Sequence, residues 1–216
     1  VMVGRSTPTV RISNDELAAI AALAQGRLVG VASVDPVELG PAAARAELRR
    51  AVVDLGLRGV NFDAGFYATP LRADAELLMP LYEECLELGV PAFVMSGPTT
   101  PNLADNDPLA VDNVARTFPK LPIICSHGFY PRVAEIITVA FRNQNVFVSP
   151  DMYMFSPGGG LYIEAAKGFM QDQYLFGTSY PFRAMTQSVA DLRALGFSAP
   201  VLEKVSVTTA RSLLHL

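Results

Sequence analysis

The residues best suited to proton chemistry are few. The chain has two histidines: His127 follows the apolar run Pro122–Cys125 and precedes Gly128, and His215 sits at the extreme C-terminus and reads as surface. An imidazole is the side chain best matched to proton transfer near neutral pH, which makes His127 the candidate acid–base residue. The competing reading is a histidine hydrogen-bonded to a neighbouring loop. Asp151 and Tyr153 come just after the run Val146–Pro150, and a carboxylate there could act as a base or orient His127. An Asx turn is the plainer alternative for Asp151, and Asp63, after Val60-Asn61-Phe62, carries the same ambiguity. Asp35, just before Pro36, reads as a turn starter. Arg5 and Arg183 are candidate bidentate clamps for a substrate carboxylate, with salt bridging as the alternative. Asn61, Asp63, Tyr153 and Tyr180 complete the expected substrate-binding set. Cys125 is two residues from His127, and strand alternation would place the two side chains on one side, as core packing inside the fold. Gly158-Gly159-Gly160 lacks the lysine and spacing of a phosphate loop.

These residues need a frame, and the hydropathy pattern supplies one. Strand-like runs at Val1–Gly4, Leu28–Ser33, Gly59–Phe62, Ala92–Met95, Ile123–Ser126, Val146–Ser149 and Tyr174–Gly177 recur about one βα unit apart. Between them the helices mark their own ends. Ser13 with Glu16 forms a capping-box signature, Pro41 opens the next helix and Gly56 closes it, and Leu77, Leu81, Cys85 and Leu88 form a stripe ended by Gly89. Val133, Ile136, Ile137, Ala140 and Phe141 form another stripe. Strict βα alternation implies a parallel sheet flanked by helices. Seven strands favour one α/β domain over residues 1–216, a (β/α)8 TIM-like barrel apparently missing its first strand. In such barrels the chemistry lies at the C-terminal ends of the strands, where the candidates fall. The proline-rich stretch Gly97–Pro108 reads as a long loop that could serve as a lid.

Composition excludes several classes. Half of the residues are hydrophobic and 18% are charged, as in a globular chain. A net charge of −4 without a basic run argues against nucleic acid and anionic membranes as partners. No apolar segment approaches the ~20 residues of a membrane span. Two cysteines, Cys85 and Cys125, read as buried thiols in a reducing compartment, which predicts a cytoplasmic location. A homo-oligomer is expected from helices that an open barrel leaves to be covered.

Several segments resemble the amidohydrolase-related family, which groups metal-dependent hydrolases with decarboxylases of aromatic and related unsaturated acids. Arg27-Leu28-Val29-Gly30-Val31-Ala32-Ser33-Val34-Asp35-Pro36 is similar to its third-strand region. Leu57–Phe62 and Pro80–Cys85 resemble its next two elements. Ser126-His127-Gly128 resembles its sixth-strand histidine motif. Leu175-Phe176-Gly177-Thr178-Ser179-Tyr180-Pro181 resembles the eighth-strand motif Phe-Gly-Ser-Asp-Tyr-Pro. The resemblance implies a divalent metal held by a His-x-His pair, a further histidine and an aspartate. Here Met95 stands at the position of that further histidine and Ser179 at that of the aspartate, and a thioether and a hydroxyl are poor zinc ligands. It also implies an acid–base role for His127.

The expected function is therefore hydrolysis or decarboxylation of a small carboxylated ring compound, with no cofactor. His127 and Asp151 would be catalytic, and cations and hydrogen-bond donors would replace the metal. The alternatives are a catalytically inactive barrel that binds a small molecule or partner subunit, and a zinc site rebuilt from Asp63, Asp151 and His127.

Overall fold

The computed structural model describes residues 1–216. The apolar, β-branched runs form six parallel strands: β1 (Met2–Val3), β2 (Gly30–Ser33), β3 (Val60–Phe62), β4 (Ala92–Met95), β5 (Ile123–Ser126) and β6 (Val146–Ser149). They lie side by side in sequence order, as right-handed βα crossovers dictate. The helices between them are α1 (Asn14–Leu23), α2 (Pro36–Leu39), α3 (Pro41–Val53), α4 (Met79–Leu88), α5 (Pro108–Thr117) and α6 (Val133–Arg142). After β6 come α7 (Gly160–Lys167), α8 (Met185–Ala194), α9 (Ala199–Glu203) and α10 (Thr209–Leu214). The capping box at α1 forms as expected, with Ser13 and Glu16 exchanging hydrogen bonds. Asp35 caps α2 through Val37 and Glu38, the turn-starting role its sequence suggested.

The sheet curls into an open TIM-like barrel with two apolar layers. Outward-facing Val60, Phe62, Val94, Ile123 and Cys125 pack with helix residues such as Leu48, Leu81 and Ile136. Each fully buried leucine of this layer contributes about 1.5–3 kcal/mol. Inside the barrel, Val31, Phe93, Ile124, Leu175 and Leu214 form a second cluster. Alternation along each strand then sends Ser33, Asn61, Met95, Ser126 and Ser149 inward as well, above that cluster toward the C-terminal mouth. Register supports this, pairing Ser33 with Asn61, Met95 with Ser126, and Ser126 with Ser149.

Three expectations are corrected here. Cys125 packs on the helix-facing side, away from the barrel interior. The alternation rule failed because the chain leaves the strand at Ser126, and His127 is no longer part of the pleat. The run Tyr174–Gly177 forms only a bridge from Tyr174 to Val148. Beyond it, the Phe176 N–H donates to the carbonyl of Val205, in a π-helical turn at Lys204–Thr208. A strand lengthens only where a neighbouring strand takes its next hydrogen bond, and here a helix takes it. The loop Gly97–Pro108 is stitched down rather than free: Asn106 Oδ1 accepts from the Gly97 N–H at 3.0 Å, and Asn106 Nδ2 donates to the Tyr130 carbonyl at 3.0 Å.

Candidate active site

β5 ends in a turn of unusual hand. His127, Gly128 and Phe129 have φ of +61°, +59° and +56°. For an L-residue the left-handed region costs roughly 1–2 kcal/mol, so a successive run of this kind persists only where surrounding groups impose it. Ser96, just after β4, supplies one such group: its Oγ accepts the Phe129 N–H at 2.9 Å and donates to the Ser126 carbonyl. Buried Tyr162 of α7 supplies another, donating its hydroxyl to the Gly128 carbonyl at 2.7 Å. Gly128 must be glycine, because a Cβ there would lie 2.9 Å from the Tyr162 hydroxyl.

The turn brings His127 to Asp151, which begins the loop after β6. His127 Nδ1 lies 2.8 Å from Asp151 Oδ2, and the His127 backbone N–H reaches the same oxygen at 3.3 Å. The ring contact is bent, without the alignment of a hydrogen bond, as is common at catalytic pairs before substrate arrives. Asp151 has φ +54°, and its other oxygen accepts from Ser149 Oγ at 2.7 Å. Gly177 makes room for that carboxylate, since a Cβ at Gly177 would lie 1.8 Å from Asp151 Oδ1. Tyr153 meets the His127 ring edge-on at 5.5 Å and stacks on Tyr130 with centroids 5.0 Å apart and an interplanar angle of 11°. Burial pushes the Tyr153 phenol above its ordinary range, and the Asp151 charge adds to the shift.

The other sequence candidates occupy separate positions. Arg5 Nε lies 2.7 Å from Asp63 Oδ1, and its guanidinium sits over Phe66. Burial pushes the Asp63 carboxyl up, while Arg5 and the Ser6 N–H pull it down. Asn61 is fully buried and donates to the Gly4 carbonyl at 3.0 Å, and its Oδ1 has no partner. Arg183 pairs with Asp191 and lies 4.3 Å from the centroid of Phe155. Tyr180 is exposed. The structure thus gathers His127, Asp151 and Tyr153 and leaves Arg5, Asn61 and Asp63 as a second group, at the ends of β1 and β3. Sequence reasoning placed Ser96 among the residues at the barrel mouth and missed Ser149, Tyr162 and Gly177. Only the glycines beside the candidates, Gly128 and Gly177, hinted at close packing there.

The family model described as Amidohydrolase matches residues 3–216. This chain belongs to the amidohydrolase family. Among solved structures, an uncharacterized TIM-barrel protein from Bordetella bronchiseptica is 35% identical to this chain with a TM-score of 0.93, covering 99% of this chain and 76% of that one. A 2,6-dihydroxybenzoate decarboxylase from Rhizobium is 22% identical with a TM-score of 0.73, covering 94% and 75%. A 4-oxalomesaconate hydratase from Rhodopseudomonas palustris is 16% identical with a TM-score of 0.71, covering 94% and 70%. No curated protein matches the chain.

The resemblance implies a divalent metal, and the residues at two of its ligand positions, Met95 and Ser179, are a poor fit for one. No three His, Cys, Asp or Glu side chains are grouped so that they could hold a metal ion. Asp63, Asp151 and His127 therefore do not come together as a replacement set, and Asp63 is engaged by Arg5. Met95 is a buried thioether on β4. The Ser179 hydroxyl faces the Met152 N–H at 3.4 Å. No helix is long and apolar enough to cross a membrane.

Proposed function

We propose that this amidohydrolase decarboxylates a small carboxylated ring compound by proton transfer through His127, with side chains in place of a metal centre. The observation that carries the reading is the 2.8 Å approach of His127 Nδ1 to Asp151, between two residues both held with left-handed backbones. With Nδ1 turned to the carboxylate, Nε2 is left for the substrate and, in the imidazolium form, is the proton donor. Nε2–H protonates the ring carbon that bears the carboxylate. The carbon–carbon bond then breaks, its electron pair restores the ring, carbon dioxide departs, and the imidazole regains a proton from water. Arg5 meets Asp63 through Nε, which leaves the terminal nitrogens of its fork for the substrate carboxylate. The stacked Tyr130 and Tyr153 offer a flat wall beside His127. Decarboxylation is favoured over hydrolysis because it needs a proton donor and an anion clamp, without an activated water. The likeness in fold to dihydroxybenzoate and 5-carboxyvanillate decarboxylases agrees with this choice.

The test is carbon dioxide release from 2,6-dihydroxybenzoate and a panel of related hydroxybenzoates, with and without chelator. Turnover should persist in chelator and fall by about a hundredfold or more in His127→Gln. Full activity in that variant, or activity lost to chelator and restored by a divalent ion, overturns the proposal. Met95 and Ser179, at the positions of family ligands, favour a second reading, a barrel that binds the same ligands without turnover. It would show as a ligand-dependent rise in Tm with no carbon dioxide released.

A further inference from the structure

The backbone around His127 is bound by side chains from four different places in the fold. The His127 N–H goes to Asp151, the Gly128 carbonyl accepts from Tyr162, the Phe129 N–H goes to Ser96, and the Tyr130 carbonyl accepts from Asn106. One residue comes from the loop after β6, one from α7, one from the end of β4 and one from the loop leading into α5. Four successive residues thus each give one backbone group to a distant side chain. Inside the turn, the remaining Tyr130 N–H returns to the His127 carbonyl at 3.2 Å.

We propose that Ser96, Asn106 and Tyr162 are positioning residues which, with Asp151, clamp the turn at residues 127–130 in its left-handed form and so fix the reach of the His127 imidazole. The inference rests on His127 being the proton-transfer group and concerns how it is held. Nothing local in the sequence favours three successive positive φ values with histidine and phenylalanine at two of them. The clamp residues are also committed on both sides. Ser96 Oγ donates to the Ser126 carbonyl while accepting from Phe129, and Asn106 accepts from Gly97 while donating to Tyr130. Gly97 lies beside the ring, where a Cβ would come within 3.6 Å of both Cβ and Cδ2 of His127, and its φ of +124° is one that glycine adopts readily. Opening any one side frees a turn that prefers another conformation, and small displacements of a catalytic group are costly in rate.

Imidazole NMR provides the test, because His127 and His215 are the only histidines and His215, 3.2 Å from the Gly89 carbonyl, is an internal control. The edge-on Tyr153 ring makes the His127 Cε1–H and Cδ2–H resonances sensitive to its position. In Tyr162→Phe, Ser96→Ala and Asn106→Asp these resonances should move or double while those of His215 stay in place. Ser96→Thr, which keeps the hydroxyl, should restore the wild-type positions relative to Ser96→Ala. Unchanged His127 resonances in folded Tyr162→Phe and Ser96→Ala, with only a lower Tm, would sink the proposal. His127→Gln separates the two ideas: full activity there removes the acid–base reading, and the NMR result for the clamp stands on its own.

Discussion

Gly177 shows how little room the candidate site leaves. A methyl group at that position would meet Asp151 Oδ1 at 1.8 Å and Ser149 Oγ at 3.1 Å, so the carboxylate would have to swing away from His127. Gly177→Ala should therefore abolish turnover of a hydroxybenzoate while lowering stability by about 1–3 kcal/mol, the usual cost of overpacking. Activity near wild type in that variant would mean that Asp151 does not need its present orientation. Asp63 makes a separate prediction about pH. Its folded-state carboxyl is raised above the ordinary value of 3.8, chiefly by burial. Its contribution to stability is thus fully present below that value and is lost as pH rises through the raised one. Tm measured from acid toward neutral pH should fall more, or rise less, in the wild type than in Asp63→Asn, and parallel curves would contradict this. That His127 and Asp151 stand just beyond strands was legible in sequence, because each follows a short apolar run closed by turn residues. Their geometry was not, since neither residue type announces a positive φ. The same blind spot put Cys125 on the wrong face.

At the level of elements, two polar side chains bind successive βα units in the same way. Asn145, just before β6, donates through Nδ2 to the carbonyls of Ala115, Phe118 and Leu121, tying the end of α5 to the approach to β5. Gln173, just before the bridge at Tyr174, donates to Ala140, Asn143 and Val146, tying the end of α6 to the start of β6. Each amide satisfies carbonyls that a helix C-terminus leaves open. Gln173→Ala strands three at once and should cost about 2–4 kcal/mol in urea unfolding. A loss under ~0.5 kcal/mol, typical of a surface change, would show that water replaces the amide. The helices and first six strands were readable because their hydrophobic periods differ, 3.6 against 2. These amides were not, since an asparagine or glutamine in a loop looks the same whether it faces water or staples a helix. The seventh strand was misread for a related reason. Its apolar run is genuine, but its hydrogen-bond partner is a helix far along the chain.

Across the whole molecule, charge is buried in one conspicuous place outside the site. Glu84 on α4 is fully buried, and Arg45 and Arg49 on α3 reach it from a more exposed position, Arg49 at 2.6 Å. Replacing both arginines by alanine leaves a carboxylate in the core without a counter-charge and should cost about 3–5 kcal/mol. Glu84→Gln leaves two cations that can turn to water and should cost about 1–2 kcal/mol. Equal losses in urea unfolding would show that hydration reaches Glu84. The π-helical turn at Lys204–Thr208 has a different kind of consequence. It lies between α9 and α10, and α10 carries Leu214 into the cluster inside the barrel. A π-turn is one residue wider than an α-turn. Deleting a single residue within it would be absorbed by regular helix, so that the residues downstream keep their facing. Leu214 would then keep its place in the barrel interior, so this turn should tolerate the loss of one residue far better than the regular helices beside it.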